Sequence, residues 1–308
     1  RSGMRIFSAP NLLESDGPEP LAFDQRMQWS EQWLQQAQSD GNDHLNWLAP
    51  HSTYLLGDSH LRRIAELAHT YGAHIHVHAS ETVGEMTLVA NRHHGRTPIQ
   101  VLADTDLLTD AVLAHGVHLS DEDIELIADH HASITHCPAS NQKLASGTAR
   151  IIDLHKAGVN VALGTDGPAS GNDMDLWLAM RLAGYAQKNT SNDPTVMPAL
   201  DVLRMATING ARALHVDHLI GSLEVGKAAD ILVLDADSPS LTPIFDPHVA
   251  IVASAGRADV SSVIVNGRLV VHEKRSLTIN HKETVQRVRQ LGGNVMAAVK
   301  DVERTRGK

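Results

Sequence analysis

The chain has 308 residues, 42% hydrophobic and 20% charged, which is long enough to bury a sizeable core. Its 26 Lys and Arg against 36 Asp and Glu leave a formal charge of −10, which argues against nucleic-acid binding, because phosphate contacts need clustered cations. The single cysteine, Cys137, excludes an intrachain disulfide framework and a Cys-based zinc site and suits a reducing cytoplasm. No apolar run is long enough to span a membrane, and "RSGMRIFSAP" at the start lacks the apolar core of a signal peptide.

In chain order, short apolar runs alternate with helical patterns. Strands are predicted in "RIFSAP" (5–10), "HLNWLAPHS" (44–52), "AHIHVHAS" (73–80), "AVLAHGV" (111–117), "ASITHCP" (132–138) and "NVALGTD" (160–166). Between them, "SHLRRIAELAHTYG" (59–72) reads as a helix closed by Gly72. "SDEDIELIADHHA" (120–132) reads as one capped by Ser120, with Asp121, Glu122 and Asp123 at its positive end. "ARIIDLHKAG" (149–158) reads as a third, closed by Gly158. Strand and helix in alternation imply a parallel sheet. After residue 215 the texture changes to short strands with Gly turns, including a tight turn at "NGR" (266–268), and then to a helical tail. We expect a β/α domain over 1–215, a small β module over 216–280 and a C-terminal helix over 281–308.

Ionisable residues recur at the predicted strand C-termini, where β/α barrels and doubly wound sheets carry their sites. Residues two apart on a strand share a face, so His74, His76 and His78 point the same way. Only His78 reaches the rim; His74 and His76 are expected to fill the interior. Glu81 lies just past the strand end, within reach of the same pocket as a proton carrier. His115 ends the next strand, and His118, beyond it, reads as structural. His136 serves equally as a site residue or a partner for loop backbone, and Cys137 reads as a small buried apolar residue. Asp166 in "LGTDG" is either a turn or cap aspartate or a group that ligates a metal and accepts a proton.

The segments "HVHASE" (76–81), "AHGVHL" (114–119), "HCPASNQKLASG" (136–147) and "LGTDGPASGNDMD" (163–175), with "APHSTY" (49–54), "MATINGARAL" (205–214) and "GSLEVGKAADILVLD" (221–235), together resemble the amidohydrolase superfamily. The nearest branch is that of the 5′-methylthioadenosine/S-adenosylhomocysteine deaminases, and the resemblance runs from about residue 4 to about residue 275. It implies a metal-dependent-hydrolase (β/α)8 barrel with a small β-sandwich module. It implies a metal ion, Zn2+ with Fe2+ or Mn2+ as alternatives, held by His78 and Asp166. By the same resemblance Glu81, His115 and Asp166 are catalytic, and His51, Glu81, Ser170 and Arg26 contact the substrate. Arg26 would meet the amino-acid carboxylate of S-adenosylhomocysteine. The family's further His-x-His pair has no counterpart here. The chain is therefore expected to start at the third barrel strand, without strands one and two and two of the four protein ligands. The implied reaction is hydrolytic deamination of a thioether nucleoside to its inosine-type product, and the resemblance implies a cytoplasmic homodimer. Other hydrolyses on the same scaffold (of guanine or another aminoheterocycle, a triazine or a formimino group) and a catalytically inert fragment are the competing readings.

Overall fold

A computed structural model describes residues 2–14 and 21–306. The chain forms two compact units. The larger comprises Ile6–Lys227 and Asp237–Arg257; the smaller comprises residues up to Arg5, Ala228–Ala236 and residues from Ala258 onward. The expected boundary at 215/216 thus falls inside the larger unit. Among the described residues no helix is long and apolar enough to cross a membrane.

The larger unit is built on six parallel strands: β1 (Asn11–Leu12), β2 (Trp47–Pro50), β3 (His74–Ala79), β4 (Val112–His115), β5 (Ser133–His136) and β6 (Val161–Leu163). They lie side by side in sequence order. A doubly wound sheet reverses its strand order at a switch point, whereas a β/α barrel does not. The unbroken order is therefore that of a stretch of barrel. A closed barrel of this kind has eight strands; six are found among the described residues.

Helices fill the connections: α1 (Phe23–Ser39), α2 (Asp58–Tyr71), α3 (Val83–Arg92), α4 (Pro98–Asp104), α5 (Asp121–Asp129), α6 (Pro138–Lys143) and α7 (Ile151–Lys156). After β6 come α8 (Pro168–Gly171), α9 (Leu176–Ser191), α10 (Ala199–Met205) and α11 (Ile208–Ala213). Gly72 ends α2 in the left-handed conformation, φ 60°, and the Ser120 side chain accepts the Asp123 amide at the start of α5. Strand residues Ile75, Val77, Leu113, Ile134 and Val161 are at most 5% exposed and pack in one core with Leu61 and Ile64 of α2 and Ile124 and Ile127 of α5. Each such side chain contributes roughly 1.5–3 kcal/mol by leaving water.

One predicted strand moves. Residues 5–10 form no ladder; pairing starts at Asn11, opposite Ala49. Arg5 belongs to the smaller unit, where its guanidinium binds Asp230 at 2.9 Å. The residues from Ile6 belong to the larger unit, where Phe7 lies against Trp47 of β2 and the Pro10 carbonyl accepts the Ala49 amide just before the ladder starts.

The smaller unit is a four-stranded antiparallel sheet of β7 (Ile231–Leu234), β8 (Val260–Val265), β9 (Arg268–His272) and β10 (Arg275–Ser276). The β8–β9 turn uses Asn266 (φ 49°) and Gly267 (φ 75°), the two positive φ values that a tight hairpin of matching twist requires. Among the described residues of the smaller unit there is no second sheet, which a sandwich needs. The expected tail helix is His281–Arg306, and residues 307–308 lie outside the described residues.

A polar cluster ties the loops after β1 and β2 together. Glu14 accepts the Gly57 amide and meets His60 Nδ1, both at 2.5 Å, and pairs with Arg92. Burial raises the Glu14 pKa, but these partners outweigh it and hold the carboxyl below its ordinary value. A folded pKa below the unfolded one adds stability that is complete above the unfolded value and is lost as pH falls through the folded value. Glu14→Gln should therefore lower the urea midpoint at neutral pH and differ less from the wild type in acid. An equal gap at pH values well above and well below the ordinary glutamate pKa of about 4.3 would show that the cluster does not carry this linkage.

Candidate active site

Parallel register brings the strand C-termini to one edge. His78 lies opposite Ala114 and Ala79 opposite His115, His136 lies opposite Leu163, and Ser52 bridges to His78. At three of these ends the backbone turns through the left-handed region at a residue other than glycine: Ser80 (φ 57°), His115 (φ 79°) and Asp166 (φ 59°). Each such residue costs roughly 1–3 kcal/mol unless its surroundings hold it.

The His78 Nδ1–H donates to the His51 carbonyl at 2.8 Å. Its Nε2 lone pair is left for another partner, the usual preparation of a ligating histidine. The His78 ring lies 4.9 Å from that of His51 and 5.6 Å from that of His115. Burial, and then His78, lower the His51 pKa, so that this ring is neutral at pH 7.

His115 is 1% exposed, with Nε2 3.7 Å from Glu81 Oε2 and Nδ1 2.9 Å from Asn141 Oδ1. Glu81 owes its position to Glu85, whose two buried oxygens accept the Ser80 and Glu81 amides at 3.0 and 2.6 Å. Asp166 accepts the Ser140 hydroxyl at 2.7 Å and the Gly167 amide at 2.6 Å, and Ser170 also hydrogen-bonds to it. Burial raises the Asp166 pKa, but these bonds and the nearby His115 prevail, and the carboxyl stays below its ordinary range. It is therefore ionised at neutral pH.

The structure thus gathers His51, His78, Glu81, His115, Asp166 and Ser170 at one edge. Arg26 differs. It is 5% exposed on α1, and its Nε donates to the Leu21 carbonyl. His76 shares its face of β3 with His74 and His78, opposite the buried Ile75, Val77 and Ala79. Its surface is open to solvent, yet neighbouring atoms crowd the ring, and desolvation, then His78 and His115, lowers its pKa to about 4. His74 stacks on His215 at 4.3 Å. His118 Nε2 bonds the Ser146 carbonyl, a structural contact. His136 bonds no loop backbone; neither ring nitrogen has a partner among the described residues. Burial, then His115, lowers its pKa to about 3, so it is neutral. Burial, then Asp166, pushes the Cys137 thiol up to about 12, so it stays protonated and is no nucleophile. Sequence reasoning missed Glu85, Ser140 and Asn141. The only signal for the last two was the quoted "HCPASNQKLASG", in which they stand together.

His78 and Asp166 are donors of the type that zinc takes. Among the described residues, however, no group of three or more His, Cys, Asp or Glu is arranged to hold a metal ion. The donor types suit a metal and their number does not.

Comparison with known proteins gives a consistent result. Residues 5–270 match the model of the amidohydrolase family. The chain is 38% identical over 250 residues to a 5-methylthioadenosine/S-adenosylhomocysteine deaminase of Thermoanaerobacter pseudethanolicus, covering 81% of this chain and 58% of that protein. It is 41% identical over 240 residues to a 5′-deoxyadenosine deaminase of Methanothermobacter thermautotrophicus, covering 78% and 56%. A solved adenosine deaminase of Xanthomonas campestris with bound zinc superposes with a TM-score of 0.91 at 29% identity, covering 96% of this chain and 67% of that one. The chain therefore spans less than three-fifths of the two curated relatives' length.

Gly164, between β6 and Asp166, sits where backbone and side chains come close. A Cβ there would stand 2.7 Å from Thr135 Cγ2 and 3.0 Å from Cys137 Sγ. Thr135 is β-branched and stiff, and Cys137 is buried, so neither yields freely. Gly164→Ala should destabilise the chain by about 1–3 kcal/mol in urea unfolding. An unchanged midpoint would show that β5 and β6 do not approach this closely.

Proposed function

Because the chain belongs to the amidohydrolase family, we propose that it carries the proton-transfer half of a hydrolytic deaminase acting on adenosine-type thioether nucleosides, S-adenosylhomocysteine and 5′-methylthioadenosine. The observation that carries this reading is the convergence of Glu81, His115 and Asp166, with the Glu81 carboxyl 3.7 Å from His115 Nε2. The identity of 38% to a 5-methylthioadenosine/S-adenosylhomocysteine deaminase and of 41% to a 5′-deoxyadenosine deaminase supports an adenosine-type substrate.

Deamination joins a water oxygen to the ring carbon bearing the amino group and releases ammonia. Asp166, ionised and held by Ser140 and Gly167, accepts the proton of the attacking water. His115 Nε2 accepts a hydrogen bond from that water and holds it against the ring. Glu81 delivers a proton to the neighbouring ring nitrogen, which lets the ring take up the electrons of the attack. In collapse, the proton on Asp166 leaves with ammonia and the proton of the new hydroxyl returns to Glu81. His51, neutral and half-buried, faces the purine, and Ser170 lies on the substrate side of Asp166. A contact from Arg26 to a substrate carboxylate requires that side chain to leave its packing on α1.

The metal of the whole protein is, in this reading, Zn2+, as in the solved Xanthomonas campestris relative, with His78 and Asp166 among its donors. The four-stranded sheet of the smaller unit is one layer of a sandwich, and the protein works as a homodimer in the reducing cytoplasm that its buried free Cys137 suits.

The test is ammonia release by the whole protein from both thioether nucleosides and from guanine, with metal content measured on the same samples. Turnover of the thioether nucleosides should fall about 10²–10⁴-fold in Glu81→Gln while metal content is unchanged. Near-wild-type turnover in that variant, or ammonia from guanine alone, would overturn the assignment.

A further inference from the structure

We infer that Ser140 and Asn141, adjacent residues of α6, are positioning residues that together set the orientation of Asp166 and His115. The inference rests on the reading of those two groups as catalytic. The problem they solve is one of topology. His115 ends β4 and Asp166 follows β6, with β5 between them, so no ladder hydrogen bond links the two strands. Both residues also sit at positive φ, where an L side chain needs an outside tie to hold it. Helix α6 starts directly after β5 and so rises between them. From it Ser140 Oγ donates to Asp166 Oδ2 at 2.7 Å, and Asn141 Oδ1 accepts from His115 Nδ1 at 2.9 Å.

Neither side chain is needed for the helix itself. The Asn141 amide donates to the Cys137 carbonyl, and the Ser140 and Asn141 carbonyls accept the Leu144 and Ser146 amides. The two side chains are nevertheless buried, at 0% and 1% exposure. A polar group in such a place is unfavourable unless it is hydrogen-bonded, so packing alone would be better served by alanine and leucine. The Asn141 contact has a chemical consequence as well. A neutral imidazole carries one N–H. With that hydrogen on Nδ1 and turned to Asn141, Nε2 presents a lone pair on the side of Glu81, as an acceptor for water requires.

Histidine-ring 15N NMR at a fixed alkaline pH tests this on the chain itself, with the His115 signals identified by their loss in His115→Gln. The wild type should show His115 protonated at Nδ1. Asn141→Asp, which keeps an acceptor oxygen, should retain that tautomer, and Asn141→Leu should yield a mixture. An Nε2–H tautomer in the wild type, or identical His115 signals in a folded Asn141→Leu, would overturn the inference. In the whole protein, Asn141→Leu and Ser140→Ala should each lower kcat about 10- to 100-fold, the usual range for outer hydrogen-bond partners. Asn141→Asp and Ser140→Thr should recover most of it, whereas equal losses in both pairs would mean a merely structural role. If the wild type releases no ammonia, the deaminase reading falls, and the NMR result still decides whether Asn141 selects the tautomer.

Discussion

The parallel pairing of β3 through β6 is the constraint from which the rest of the site follows. Because Ala79 stands opposite His115 and His136 opposite Leu163, each strand delivers its last residues to the same edge. A one-residue slip of any strand would turn its side chains to the other face and scatter the cluster. The register is secured from the helix side, where Ile75, Val77, Leu113, Ile134 and Val161 leave water together. The apolar face of the sheet thus pays for a polar edge that has little cohesion of its own.

Register delivers backbone, and the chemistry also requires side chains with defined rotation. That second task falls to buried polar groups of the connecting segments. Glu85 holds the turn that bears Glu81 by two backbone amides, and α6 reaches toward strands on both of its sides. Three strand ends in the left-handed region are tolerable because these bonds surround them. The result is a division of labour: helices bury the sheet, and the loops that start them aim its C-terminal residues.

What the sequence makes legible is local. The alternation in "HIHVHA" identifies a strand with its histidines on one face, Gly72 marks the end of α2, and Asn266-Gly267 marks the hairpin. The candidate residues His51, His78, Glu81, His115 and Asp166 could be singled out because each stands at the end of a recognisable apolar run. Harder to read were features set by partners distant in the chain. Residues 5–10 have the composition of a strand, yet Arg5 is bound to Asp230, 225 positions away. Arg26 has the charge for a substrate carboxylate, yet it lies within the packing of α1. Ser140 and Asn141 look like ordinary turn formers until their partners, 26 positions away in each case, are known.

The discontinuous make-up of the smaller unit bears on how the chain acquires its structure during synthesis. The segment up to Arg5 emerges long before β7 exists to receive it, whereas every strand of the larger unit's sheet has its neighbour close by in sequence. At about 5–20 residues per second, the wait for Asp230 lasts on the order of ten seconds or more. Closing so long a loop adds only a logarithmic entropy term, so the delay is one of availability rather than of free energy. During that interval the larger unit's strands can pair in the order in which they are made, whereas the bond from Arg5 to Asp230 waits for β7.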